Sequence, residues 1–187
     1  MASPAPADIT MIYIGAFDLR IPADPDTGKA WMNDAVIDVP QSFDVIDLDV
    51  EITLTHTAIF DLQLYLKGPD GTRIALNYYN PADEFIEGED YIATIFDDQA
   101  DTPIESAQPP FTGRFRPRSP DELSVFNGID PQGQWKMQIY DAWHANTGTL
   151  QEVKLIFKTP EPTTIIFLLA GITLTRFKKH THSHPPI

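Results

Sequence analysis

The sequence has no cysteine, which excludes disulfides and thiolate metal sites. It is also poor in cations: 13 Lys and Arg stand against 27 Asp and Glu, for a formal net charge of −14. So acidic a surface argues against a nucleic-acid partner and suits divalent cations or plain solvation. No apolar run reaches the roughly 20 residues that cross a bilayer comfortably as a helix. The opening Met1-Ala-Ser-Pro-Ala-Pro-Ala-Asp8 lacks the basic head and apolar stretch of a secretory leader. Sustained helical periodicity and internal repeats are missing too. What is present is 42% hydrophobic content over 187 residues, enough to fill the core of one domain with appendages.

Between Phe17 and Lys158 the pattern is that of an all-β domain. In Ile46-Asp-Leu-Asp-Val-Glu-Ile-Thr-Leu-Thr55, apolar Ile46, Leu48, Val50, Ile52 and Leu54 alternate with polar residues, which puts them on one face of a strand. The same period recurs in Leu62, Leu64 and Leu66, in Trp135, Met137 and Ile139, and in Val153, Leu155 and Phe157, with shorter runs at 73–76 and 92–96. Gly68-Pro-Asp-Gly71, Asn127-Gly128, Gln132-Gly133 and Asn146-Thr-Gly148 supply turn chemistry between them. Many short strands separated in this way predict two packed sheets rather than a barrel or an α/β fold. Residues 78–90, which carry Asp83, Glu84, Glu87, Glu89 and Asp90, and the Pro-, Arg- and Ser-rich residues 104–122 are expected to be irregular connections. Arg114, Arg116 and Arg118 alternate, so they are expected on one face and paired with the acidic connection.

The carboxy-terminal stretch reads differently. Thr159-Pro160-Glu161-Pro162-Thr163 leads into the apolar Ile165-Ile-Phe-Leu-Leu-Ala-Gly-Ile-Thr-Leu174, closed by Arg176, Lys178 and Lys179. This tripartite order resembles the PEP-CTERM sorting signal of Gram-negative bacteria. The resemblance implies export, recognition of Pro160, Glu161 and Pro162 by an exosortase, a short hydrophobic helix, and a basic stop at Arg176, Lys178 and Lys179 on the cytoplasmic side. Delivery to the cell surface or extracellular matrix would follow. Pro160 and Pro162 restrict the residues before them, which keeps the motif extended. A terminal element docked on the domain is the alternative. Because Met1–Asp8 offers no leader, the start is expected to be truncated, and an intact cytoplasmic chain with a decayed tail is the other possibility.

A second resemblance covers the β region. His56-Thr-Ala-Ile-Phe-Asp61-Leu62 followed by Leu64-Tyr-Leu-Lys-Gly-Pro-Asp-Gly-Thr72 resembles the core motif of the P domain, or P/Homo B domain, of kexin- and furin-like proprotein convertases. Phe96-Asp-Asp-Gln-Ala100, Pro110-Phe-Thr-Gly-Arg-Phe-Arg-Pro117, Leu123-Ser-Val-Phe-Asn-Gly128, Gly133-Gln-Trp135 and the stretch from Asp141 through Asn146 to Leu150 look like its later blocks, in the same order. Ile21-Pro22-Ala-Asp24 resembles its entry. The resemblance implies a jelly-roll-like β-sandwich that packs beside a subtilisin-type catalytic domain, stabilises it, and often carries calcium. It also implies calcium ligands at Asp61, Asp97, Asp98 and Asp141, with Asn146 standing where many relatives have Asp, a substitution that weakens the site by one charge. Calcium takes several hard oxygens gathered by loops. Aspartates at strand ends also serve as ordinary turn residues, and both readings stay open on the sequence.

The peptidase itself is not expected in this chain. No Gly-x-Ser-x-Gly elbow occurs, and His56 is expected to be hydrogen-bonded within the fold rather than to act as a base. Trp135 belongs to a core strand. Trp143, beside His144, is expected at a loop tip as a partly buried lid over the sandwich edge, with contact to a partner or a glycan as the alternative, and His180, His182 and His184 form a tail that could chelate a metal or be discarded. The expected layout is an amino-terminal extension 1–16, the sandwich 17–158, the sorting segment 159–179 and a disordered end 180–187. Three functions follow: an exported non-catalytic stabilising or interaction module, the terminal domain of a secreted subtilisin-like serine endopeptidase, or a carbohydrate-binding sandwich in an extracellular polysaccharide matrix.

Overall fold

A computed structural model describes residues 7–24, 26, 30–78, 80, 88–118, 120–143 and 145–161. The apolar–polar alternation is realised as nine strands: β1 (Asp8–Ile21), β2 (Ala35–Val39), β3 (Asp47–His56), β4 (Leu62–Lys67), β5 (Arg73–Asn77), β6 (Tyr91–Phe96), β7 (Phe111–Phe115), β8 (Gly133–Asp141) and β9 (Gly148–Pro160). They form two sheets, one in the order β1-β9-β3-β6-β7 and the other β2-β8-β4-β5. All pairings are antiparallel except β6 with β7. This is the β-sandwich that the sequence predicts.

The alternating residues face one another between the sheets. Leu48, Val50, Ile52 and Leu54 of β3 and Val153, Leu155 and Phe157 of β9 are buried on one side; Leu62, Leu64 and Leu66 of β4 and Trp135, Met137 and Ile139 of β8 are buried on the other. Trp135 is fully buried, as expected. It packs on Phe126 and Phe157 with ring centroids 4.9 and 5.4 Å away, and its indole N–H donates to the Pro131 carbonyl at 2.9 Å, so its polar edge is satisfied inside the core.

Several boundaries differ from the expectation. The sheet begins at Asp8, not near Phe17, because β1 pairs with β9 from Asp8 opposite Pro160 through Ala16 opposite Glu152 and, past a bulge, on to Ile21. At the other end Thr159 is buried and Pro160 is the last residue of β9, so both belong to the sandwich rather than to an appended segment. Ile46 precedes β3 and is 39% exposed; the buried face starts at Leu48. The expected irregular stretch 104–122 contains β7 and the 3-10 turn Ile104–Ser106. Among the described residues no helix is long and apolar enough to cross a membrane. The expected short hydrophobic helix, the residue Pro162, the basic stop Arg176, Lys178 and Lys179, and the three tail histidines lie outside the described residues.

Residues 8–160 are therefore the folding unit. A domain cut to 17–158 leaves one edge of β9 bare over most of its length and removes the buried Thr159. Its melting temperature, followed by circular dichroism, is expected to fall by well over the roughly 2–4 °C that about 1 kcal/mol makes in a domain of this size. Equal melting temperatures for the two lengths would show that β1 contributes nothing.

Candidate functional site

The turn chemistry at the His56 end of β3 gathers buried polar side chains from four segments. His56 closes β3; Asp61 closes the 3-10 turn Ile59–Asp61 just before β4; Asp141 closes β8; Asn146 lies in the turn into β9. Main-chain bonds lock the segments together. Ala142 N–H donates to the Asp61 carbonyl at 2.8 Å, Asp141 N–H to Ala30 at 2.7 Å, and Asn146 N–H to Trp143 at 3.0 Å. Gly148 lies opposite His56 on β3 and Ile21 on β1, and a Cβ there would run into the Thr55 carbonyl oxygen and the His56 Cα, so only glycine admits this closeness.

Within this cluster the Asn146 amide N–H donates to Asp61 Oδ2 at 2.6 Å, while Asp141 Oδ1 accepts the Trp143 N–H at 2.9 Å. His56 Nδ1 lies 2.9 Å from the Ala58 carbonyl and 3.2 Å from the Ala58 N–H, and its backbone N–H donates to Asp90 Oδ1 at 2.9 Å. Asp90 does this from a left-handed backbone conformation, φ 66°, which aspartate tolerates better than most residues. The remaining ring nitrogen, Nε2, faces Asp141 Oδ2 at 3.5 Å; both side chains are fully buried, and neither atom has a hydrogen-bond partner. Burial pushes the Asp61 carboxyl above the usual carboxylate range, and the Asp141 charge pushes the same way, against the Asn146 hydrogen bond. Buried polar atoms without a partner are costly, and here a carboxylate oxygen and a ring nitrogen face each other in that state.

The expected ligand set divides in two. Asp61, Asp141 and Asn146 come together, but Asp97 and Asp98 do not join them. Because β6 runs antiparallel to β3, with Phe96 opposite Val50 and Tyr91 opposite Leu54, the residues after β6 reach the other end of β3. Asp49 and His56 mark those two ends, seven residues or about 23 Å apart. There Asp97 and Asp49 share Arg114, whose Nη1 lies 2.6 and 2.8 Å from their Oδ2 atoms. Asp98 accepts the N–H groups of Leu123 and Ser124 at 2.9 and 2.7 Å, opening the 3-10 turn Leu123–Phe126. Arg114 thus takes its carboxylates from β3 and the end of β6, and Arg118 lies over the Tyr78 ring, 4.7 Å from its centroid; residues 81–87 of the acidic connection, the expected partners of the arginines, lie outside the described residues. The participation of Asp90 was not legible, since only the fold brings residue 90 beside residue 56.

For a metal the donor chemistry at the His56 end fits a hard cation: two carboxylates, one an unpartnered buried oxygen, and the amide of Asn146. Among the described residues no three His, Asp or Glu side chains converge tightly enough to hold an ion by themselves. Calcium would therefore rely on Asn146 and on carbonyl or water oxygens to complete its shell. For catalysis the cluster is unsuited. His56 and Asp141 are sealed from solvent, and among the described residues no hydroxyl is hydrogen-bonded to the His56 ring.

Comparisons with known proteins bear on the fold that carries this cluster. A sequence profile of the proprotein convertase P-domain matches residues 45–157. Among curated protein sequences none matches. The serine protease of Aeromonas sobria in complex with its chaperone superposes with a TM-score of 0.51 at 16% identity, over 86% of this chain and 28% of the protease chain. The same protease solved as serine protease of Aeromonas sobria gives 0.49 at 17% identity, over 84% and 28%. The chain thus spans little more than a quarter of these solved structures. Trp143 sits at a loop tip beyond Asp141 but is 65% exposed, so it is not the expected partly buried lid.

A carboxyl whose pKa is raised by folding favours the folded state below its unfolded value, near 3.9, and loses that contribution as pH rises through the folded value. Asp61→Asn keeps an acceptor for Asn146 but removes the repulsion with Asp141. In chelator at neutral pH this variant is expected to melt higher than the wild type and to lose part of the stability decline above pH 4. A lower melting temperature at every pH would contradict the reading of Asp61 as a crowded carboxylate.

Proposed function

The chain belongs to the proprotein convertase P-domain family, and on that footing we propose that it is an exported, non-catalytic stabilising and interaction module whose location is set by its carboxy-terminal segment. The observation that carries the non-catalytic part is the sealed His56–Asp141 pair, which has no route to a substrate. The sorting part is supported by the tripartite order of residues 160–179. Pro160 closes β9 opposite Asp8, so the part of the head that continues beyond the sandwich is Glu161 and Pro162, and the reading rests on the order of head, apolar run and basic stop in the sequence. Exosortase is the partner this reading requires. Replacing Pro160, Glu161 and Pro162 with alanine in an exosortase-positive host is expected to leave uncleaved precursor at the inner membrane; release indistinguishable from wild type would remove the sorting assignment.

A second reading rests on chain length. The sandwich superposes on part of a much longer serine protease, so it also suits the terminal domain of a subtilisin-like endopeptidase whose catalytic part lies elsewhere. Genomic sequence upstream of Met1 separates the two readings: an in-frame Asp, His and Ser peptidase favours the second, a leader alone the first.

In either setting calcium is the proposed stabilising ligand, held by Asp61, Asp141 and Asn146. Its charge would relieve the repulsion of the buried carboxylates. An ion that binds only the folded state adds RT ln(1 + [L]/Kd), about 2.7 kcal/mol at a hundredfold excess over Kd. Melting temperature is expected to rise with calcium and much less with magnesium. Asp61→Asn and Asp141→Asn should blunt the rise, Asn146→Asp should enlarge it, and Asp98→Asn should leave it alone. No difference between chelator and millimolar calcium would eliminate the site.

A further inference from the structure

The outward face of the four-stranded sheet carries side chains that neither the core nor the buried cluster uses. Lys67 on β4 lies directly opposite Arg73 on β5 and Lys136 on β8, so three cations form one row across three strands. Neighbouring strands are about 4.8 Å apart, and like charges placed directly opposite destabilise a sheet. On a chain with 13 cations and 27 anions, such a row is not what composition alone would produce. Lys136 is paired with Asp34 at 2.9 Å, which also accepts from Gln138 and lies near enough to Lys67 to be stabilised by its charge. Neither Lys67 nor Arg73 pairs with a carboxylate among the described residues. Asp70, in the turn between them, accepts instead from the Thr72 N–H and hydroxyl.

Beside this row, on the same face, stand three aromatic residues. Tyr65 alternates with Lys67 along β4, Tyr140 lies on β8, and Trp31 bridges to Tyr140. Trp31 packs on Tyr140 and Tyr65 with centroids 5.0 and 6.1 Å away yet remains 44% exposed. The Arg73 guanidinium lies 4.1 Å from the Tyr65 centroid and 5.8 Å from that of Trp31, linking the cationic row to the aromatic group.

We propose that this face binds an acidic polysaccharide, a linear chain carrying a carboxylate on successive sugars. The aromatic group offers apolar surface to the C–H faces of pyranose rings. The row spaced by the inter-strand distance supplies cations at close to the rise of one sugar unit. Duplex DNA shares the anionic chemistry, and the net charge of −14 opposes it and a polyuronate alike; what separates them is that a duplex offers the aromatic group no exposed ring faces. This inference stands apart from the sorting and calcium readings, since it uses none of their residues.

The test is affinity electrophoresis of the full chain in gels containing polygalacturonate or alginate, with dextran and duplex DNA as controls. Retardation is expected in the two polyuronates and not in dextran or DNA. Trp31→Ala and the double variant Lys67→Glu, Arg73→Glu should each weaken it at least tenfold, with circular dichroism verifying the fold. Added salt should reduce the wild-type retardation without abolishing it. Absence of retardation at low salt would overturn the proposal, as would equal retardation by DNA or a Trp31→Ala variant that binds like wild type. If polyuronates fail while Trp31→Ala abolishes binding to a subtilisin-like catalytic domain, the face belongs to a protein partner and the proposal also falls.

Discussion

β9 is hydrogen-bonded along both edges, to β1 on one side and β3 on the other, and the rest of the structure depends on that double pairing. Its inward residues Leu150, Val153, Leu155 and Phe157 are fully buried, so the strand is both an interior strand of its sheet and one wall of the core. Its first residue, Gly148, is fitted between Ile21 and His56, and that close approach delivers Asn146 to Asp61. Its last residue, Pro160, brings the chain to the surface where Glu161 begins the exit. One strand therefore fixes both the geometry of the buried polar cluster and the point at which the tail departs.

The two ends of β3 show how the same residue type takes different roles. At the Asp49 end a guanidinium lies between two carboxylates and offsets part of their charge, although Asp49 Oδ1 is buried without a partner and burial pushes its carboxyl above the usual range. At the His56 end two carboxylates are buried with an amide and an imidazole, and a carboxylate oxygen and a ring nitrogen are left without partners. A buried charge without compensation costs more than it returns. Such a cluster is maintained at the expense of stability, and a ligand bound by the folded domain recovers what is lost. A stabilising module for a neighbouring catalytic domain would gain a condition-dependent strength in this way.

Much of the fold was legible in the sequence because β3, β4, β8 and β9 each keep one face apolar at period two. β1 was not, since Ile12 and Ile14 point outward while Met11 and Tyr13 turn in, so apolar residues occur on both faces and the alternation is lost. β2 is only five residues long, and β7 passes through Gly113 at φ 108° with a single fully buried residue, Phe111. In the cluster, Asp61, Asp141 and Asn146 were found through their motif context. Asp97 and Asp98 were grouped with them because chain order does not reveal that β6 runs back along β3 and carries its following residues to the far end. The pairing of Asp90 with the His56 N–H depends on that same reversal at its other end.

The account places an ion-sensitive polar cluster at the head of β9, remote from the Arg114 cluster. Hydrogen exchange followed by mass spectrometry, in chelator and in millimolar calcium, tests this most directly because it reads location as well as stability. Slowed exchange confined to peptides covering residues 56–62 and 141–150, with those covering 97–101 unchanged, is the predicted result. Protection centred on residues 97–101, or none at all, would contradict it.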